Sequence, residues 1–255
     1  MSKLRLVSWN CNGAFRNKLK NISAFGADIL IIQECEDPAQ TRHPEYRAFA
    51  QNYLWTGPTK NKGVAVFARA DIRLEKIEMP LEPLELFLPV VVNKHWPLLA
   101  CWTRYANSPT FRYIGQLWKF LQEHKTFLEH PASALVGDLN SNTRWDQWDR
   151  WWNHSDVVSQ LESIGLKSAY HQYFQEAQGA ETRPTLFHTK KLAKPYHIDY
   201  GFFNEGWHIE KVTVGTSSEW LELSDHMPIC IDAHLNQAEP TDLPKIVTPA
   251  TARSG

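Results

Sequence analysis

Five short segments of this chain share one form: an apolar run, then polar side chains where the run stops. They are Ser8-Trp9-Asn10-Cys11-Asn12, Ile32-Gln33-Glu34, Val136-Gly137-Asp138-Leu139-Asn140, His197-Ile198-Asp199-Tyr200 and Leu223-Ser224-Asp225-His226. A carboxylate after a single strand is ordinarily a cap or turn residue. Five such endings constrain the fold further. Strand ends on one rim of a sheet sandwich converge in space, and would gather oxygen ligands and an imidazole in one concavity.

The spaces between these segments predict the rest of the layout. Lys3 to Asn10, Asp28 to Gln33, Gly63 to Arg69, Phe87 to Asn93, Leu98 to Arg104, Ser133 to Val136, Ile198 to Phe203, Ile209 to Val214 and Pro228 to Ala233 read as strands. Asn17 to Phe25, stopped by Gly26, reads as a helix, as do Phe111 to Glu129, stopped by Pro131, and Asp156 to Ile164, closed by Gly165. The two element types mix without a strict strand-helix-strand beat. That favours a layered α/β sandwich over a barrel or a doubly wound sheet. One domain is expected over residues 1–235. Residues 236–255 are polar, rich in Pro and Thr and without apolar periodicity, and are expected to be a disordered tail.

Composition narrows the function only a little. A chain of 255 residues with formal net charge −1 lacks the basic excess of a dedicated duplex binder, so any nucleic-acid contact must rest on local patches. No apolar stretch is long enough to cross a bilayer, and the first ten residues lack the layout of a secretory signal, so a cytoplasmic location is expected. Cys11, Cys35, Cys101 and Cys230 form no close pair of the zinc-binding kind and are expected to be buried thiols. There is no Walker phosphate loop and no Gly-x-Ser-x-Gly elbow.

The residue types at the five strand ends suit cleavage of a phosphate ester. The negative charge of a phosphodiester repels a nucleophile, and a bound Mg²⁺ or Mn²⁺ offsets it. Such hard ions want oxygen ligands, and Glu34 with Asn10 and Asp225 suits that need. Cleavage also needs a group that orients and deprotonates water, and donors for the phosphate oxygens. Asp138, Asn140 and His226 suit those tasks.

Trp9-Asn10, Gln33-Glu34, Gly137-Asp138-Leu139-Asn140, Ile198-Asp199-Tyr200 and Ser224-Asp225-His226 resemble, in order and approximate spacing, the signature motifs of the endonuclease/exonuclease/phosphatase superfamily. The resemblance runs from Asn10 to His226. It implies a four-layer α/β (α+β) sandwich, two packed mixed β-sheets flanked by helices. It also implies that Asn10 and Glu34 lie at the metal with Asp225 near it, and that Asp138 orients or deprotonates the attacking water. Asn140 would hold the scissile phosphate, and Asp199 would fix the ring of His226 on a phosphate oxygen. Asn12 stands where nuclease members often carry an aspartate, and is expected on the substrate side. The family's His or Tyr after a central strand has no clear counterpart; Arg104 or Tyr105 is expected to take that phosphate contact, the alternative being an ordinary surface loop.

The reading that follows is a bacterial-type, metal-dependent endo- or exonuclease acting on DNA or RNA, with no membrane and no obligate protein partner. A phosphatase or phosphodiesterase for a nucleotide, inositol phosphate or lipid headgroup is the nearest alternative, and an inactive nucleic-acid-binding module is the alternative from another class. Trp145, Trp148, Trp151 and Trp152 would share one face at helical spacing, as base-stacking rings or as packing on the core. Arg16, Lys18, Lys20, Lys60, Lys62, Lys190, Lys191 and Lys194 either track a phosphate backbone or are solvated loop charge. His154 and Asp156 read as a surface turn or helix cap rather than a second metal site.

Overall fold

The computed structural model describes residues 2–106 and 108–236; Asn107 and residues 237–255, hence nearly all of the expected tail, lie outside the described residues. Along the chain come β1 (Ser2–Asn10), α1 (Leu19–Ser23), β2 (Ile29–Cys35), α2 (Pro44–Phe49), β3 (Tyr53–Thr59), β4 (Lys62–Ala68), β5 (Leu74–Lys76), β6 (Phe87–Val92) and β7 (Trp96–Trp102). There follow α3 (Ile114–His124), β8 (Ala134–Asp138), α4 (His154–Ser163), β9 (Lys167–Ser168), α5 (Ala169–Phe174), β10 (Leu186–Phe187), β11 (Pro195–Tyr196), β12 (Asp199–Phe203), β13 (Trp207–Val214), α6 (Ser217–Trp220) and β14 (Ile229–Leu235).

The strands form two six-stranded mixed sheets, in the orders β13-β14-β1-β2-β4-β3 and β5-β6-β7-β8-β12-β9, plus the small hairpin β10-β11. Each large sheet has one parallel pair at its centre, β1 with β2 and β7 with β8. The side-chain period of two explains how they stack. Leu4, Leu6, Ile29, Ile31, Val64 and Val66 of the first sheet pack on Leu88, Val90, Leu98, Ala100, Ala134 and Val136 of the second. The intervening residues face outward: Val7, Trp9, Leu30 and Ile32 meet Phe15, Ile22 of α1 and Tyr46 of α2. Leu99, Cys101, Leu135 and Tyr200 meet Ile114, Leu117, Leu121 of α3 and Val157, Leu161 of α4. Strands buried on both faces need apolar residues at every position, which is why their sequences read as unbroken apolar runs. The expected four-layer sandwich is the one observed.

Several element bounds differ from the sequence expectation. The helix expected over Phe111 to Glu129 is shorter, because Tyr113 caps it with φ 51° and the last turn tightens to a 3-10 turn at Lys125–Phe127. Asn17 to Phe25 divides into a 3-10 turn (Phe15–Asn17) and the five-residue α1. The strand expected to end at Val136 runs on through Asp138. β3 was absent from the expectation: it is a half-buried edge strand broken by Gly57-Pro58, so its apolar pattern is weak. All four cysteines are buried and free, as expected.

Candidate active site

Asn10 and Asp138 end β1 and β8, one on each sheet, and both fall on the inward parity set by Leu4, Leu6, Ala134 and Val136. Each opens the same local turn. The backbone N–H of Asn12 donates to Asn10 Oδ1 at 3.0 Å, and that of Asn140 donates to Asp138 Oδ1 at 2.8 Å. Asn12 and Asn140 both sit at positive φ, 52° and 44°, a conformation that asparagine tolerates better than most residues. The two turns meet: Asn10 Nδ2 donates to Asp138 Oδ2 at 2.9 Å and to Glu34 Oε1 at 3.3 Å. Asn140 Nδ2 donates to the other side of the same cluster, to Asp138 Oδ2 at 3.0 Å and the Thr103 carbonyl at 2.8 Å.

Glu34 owes its aim to a bulge. β2 shifts register against β4 between Gln33 and Cys35, and Glu34 takes φ 60° there. Such a bulge re-aims a side chain at a sheet end. Its Oε2 forms an ion pair with the ammonium of Lys62, the first residue of β4.

The third side of the cluster comes from β12 and the segment before β14. Asp199 Oδ2 lies 2.9 Å from His226 Nδ1, and His226 Nε2 lies 3.9 Å from Asp138 Oδ2. Asp199 Oδ1 is buried without a hydrogen-bond partner among the described residues. The ring is set in place by its own backbone, since His226 N–H donates to Ser224 Oγ and Trp9 Nε1 donates to the His226 carbonyl. Thr185 Oγ1 accepts from the N–H groups of Ile198 and Asp199. At the rim, Asn12 Nδ2 donates to Asp225 Oδ1 at 3.0 Å.

Electrostatics follow from this crowding. Burial, then the neighbouring Asp199 charge, pushes the Asp138 carboxyl up to about 7 against the pull of His226 and the Asn10 donor. Burial works to lower the His226 imidazolium, but the carboxylates of Asp199 and Asp138 outweigh it and push it up to about 10. The two groups are thus shifted in the same direction, each upward, the acid by burial and a like charge and the imidazole by two opposite charges.

The structure thus brings Asn10, Glu34, Asp138, Asn140, Asp199 and His226 into one cluster, with Asn12 and Asp225 paired at its edge. Arg104 does not reach it: the guanidinium donates to Glu85 at 2.9 Å and lies over Trp102. Tyr105 is exposed, with the Arg112 guanidinium 4.1 Å over its ring. Lys62, read from sequence as a loop cation that either tracks phosphate or is solvated, pairs instead with Glu34, while Thr103 and Thr185 touch the cluster without having been singled out, since a lone threonine carries no signal of that kind.

The tryptophan run also departs from expectation. Thr143–Trp145 is a 3-10 turn followed by irregular chain, not a helix, and only Trp152 joins the core. His154 is fully buried at the first turn of α4 against Tyr200, and the cap is Asn153 with Asp156 in a capping box, so the surface reading of His154 is corrected.

Buried acids and an imidazole gathered where the central strands of two stacked sheets end define a phosphoesterase architecture. The chain belongs to the endonuclease/exonuclease/phosphatase family, whose model matches residues 7–226. No curated protein matches it by sequence. Among solved structures it is similar to an endonuclease/exonuclease/phosphatase from Beutenbergia cavernae DSM 12333 (TM-score 0.67, 17% identity, covering 92% of this chain and 72% of that one). It is also similar to a 3′ phosphatase, NExo, from Neisseria bound to a product DNA hairpin (TM-score 0.66, 21% identity, 91% and 99%). A third is D. rerio TDP2 complexed with a single-strand DNA product (TM-score 0.64, 15% identity, 92% and 100%). At these identities the likeness is one of fold. No helix among the described residues is long and apolar enough to cross a membrane.

Proposed function

We propose that this member of the family is a divalent-metal-dependent phosphodiesterase that cuts DNA or RNA with water activated at Asp138. The observation that carries the reading is the buried Asp138 carboxylate, held by Asn10 and Asn140 and facing a His226 ring paired with Asp199. A carboxylate whose proton leaves near neutral pH is matched to taking a proton from water at that pH. His226, protonated and with Nε2 beyond hydrogen-bond reach of Asp138, has a donor to give to a phosphate oxygen. Asp199 holds the ring through Nδ1. Asn140 borders the cleft beside this group; both hydrogens of its Nδ2 are engaged by Asp138 and the Thr103 carbonyl, so it would orient the phosphate by exchanging one of these for a phosphate oxygen.

Mg²⁺ or Mn²⁺ fits the oxygen donors on the Glu34 side. Glu34 already faces a cation there, the Lys62 ammonium; Asn10 now turns its Nδ2 to Glu34 and its Oδ1 to the Asn12 N–H, so its amide would have to turn over for that oxygen to join Glu34 and Asp225 at an ion. Asp138, Asp199 and His226 also bring ligating atoms within 4.8 Å of one another. That second set is the poorer holder, because Asp199 is engaged on His226 Nδ1 and the imidazolium repels a cation. A bound ion supplies charge neutralisation on the phosphate and its leaving oxygen.

Hydrolysis of plasmid, single-stranded DNA, abasic duplex, RNA and small phosphate esters with Mg²⁺, Mn²⁺ or EDTA tests the reading. Polymer cleavage that needs both the ion and Asp138 is expected. Turnover of small esters alone would replace it with the phosphatase reading, and binding without turnover with the inactive module.

A further inference from the structure

Trp145, Trp148 and Trp151 are 42%, 98% and 65% exposed. All three come from the one loop between β8 and α4, and large apolar side chains left exposed on a single ordered segment are candidates for a contact surface. The loop that carries them is tied down by polar bonds. Asn142 Nδ2 donates to Glu181, to the His197 carbonyl and to the Tyr200 hydroxyl at 3.1, 3.0 and 3.2 Å. Asn153 Oδ1 accepts from Gln147 N–H and Arg150 Nε, and Asp146 accepts from the N–H groups of His154 and Ser155. The rings are displayed from an ordered backbone, so little ordering entropy is left for a ligand to offset.

The same loop walls a cleft of about 330 Å³ that reaches Asn140. Arg112, Tyr113, Trp145, Arg150 and Trp152 line it beside Asn140, and no carboxylate does, in a chain whose net charge is −1. Arg112 Nε is buried without a hydrogen-bond partner among the described residues, and the Arg150 guanidinium lies 4.4 Å over the Trp152 ring. Two guanidinium groups and three aromatic rings therefore share the lining of one cleft with Asn140, the residue proposed to meet the phosphate.

We propose that this cleft, together with Trp148 and Trp151 of the loop that walls it, binds unpaired bases of a nucleic-acid strand beside the phosphate to be cut. The inference rests on the phosphodiesterase reading above and narrows its substrate to single strands or unpaired ends. Ring faces of bases are open to stacking only outside a duplex, and exposed tryptophans with stacked arginines match those faces and the backbone charge. A duplex offers phosphates and base edges instead, and a chain of net charge −1 has no overall basic excess to match them.

The test is anisotropy of labelled oligo(dT), oligo(U) and a blunt duplex of equal length, in EDTA to prevent turnover. Wild type is compared with a Trp148→Ala, Trp151→Ala double variant, whose melting temperature is checked; both rings are exposed, so the fold is expected to persist. Single strands should bind more tightly than the duplex, and the double variant should lose about tenfold or more on single strands. Duplex binding as tight as strand binding, no detectable strand binding, or an unaffected variant each overturns the proposal. The stronger of oligo(dT) and oligo(U) names the strand chemistry. Mn²⁺-dependent hydrolysis of bis(p-nitrophenyl) phosphate by wild type, with Asp138→Asn as control, is run alongside. Hydrolysis with an unaffected double variant rejects the stacking site and keeps the phosphodiesterase. Strand binding lost in the variant, with no hydrolysis by wild type, keeps the stacking site and rejects the phosphodiesterase.

Discussion

Asn10 Nδ2 donates to Asp138 Oδ2 across 2.9 Å, joining the last residue of a central strand in one sheet to the last residue of a central strand in the other. A neutral donor at this point favours the ionised carboxylate, whereas a second carboxylate would oppose it. Asn10→Asp is therefore expected to raise the pH at which Asp138 ionises and to slow hydrolysis at neutral pH by about tenfold or more, with recovery as pH rises. A rate profile displaced toward alkaline pH checks this; an undisplaced profile would remove Asn10 from the role.

Asp138→Asn keeps the shape of the side chain but removes the proposed base. Hydrolysis is expected to fall by about a hundredfold to ten-thousandfold. Circular dichroism and thermal melting of the variant separate loss of chemistry from loss of fold, since Asp138 is fully buried and accepts three hydrogen bonds.

Asp199→Asn removes the charge that does most to hold the His226 proton against burial. The imidazolium pKa should drop from about 10, so activity should decline at lower alkaline pH than in wild type. The stability sign is fixed by the same shift. A histidine raised in the folded state stabilises most below its unfolded pKa of about 6.5, and that contribution is lost as pH rises through the folded value. NMR titration of His226 reads the shift directly.

Lys62 occupies the cation side of Glu34. Lys62→Met removes a competitor for that carboxylate, so Mn²⁺ is expected to bind several-fold more tightly by calorimetry. Weaker binding would show that the ammonium supports the ion instead of competing with it.

His154 gives a pH signature away from the cluster. Burial, opposed by Asp146 and Glu181, lowers its pKa to about 4, so it stays neutral in the fold while the unfolded chain protonates it. Stability should fall as pH drops from about 6.5 toward 4, by about 3 kcal/mol in total. Denaturant midpoints across that window should show the loss, and His154→Gln should flatten it.

How much of this was legible in the sequence depends on where each residue sits. Asn10 and Asp138 end, and Asp199 opens, strands buried on both faces, whose apolar runs are hard to miss, and the period of two then aims all three inward. Glu34 was legible by type, but its aim depends on a bulge that no run of side chains announces. Arg104 and Tyr105 lie where the chain leaves the sheet, and there side-chain direction follows local partners such as Glu85 and Arg112. The tryptophan run suggested a helix because its spacing is helical. The loop that carries it is shaped instead by Asn142, Asp146 and Asn153, polar clamps that leave no periodic trace. β3 was missed because an edge strand with Gly57-Pro58 carries little pattern.

The acid and the amide that touch it are mounted on different sheets, so the gap between them is gauged by the layer of Leu6, Ile31, Leu98, Val136 and their neighbours that keeps those sheets apart. Interiors of this kind do not deform smoothly when a methylene is lost or added. The alignment of the proposed catalytic centre is thus a property of side chains that have no chemistry at all, and a substitution among them is expected to announce itself as an enzymatic defect.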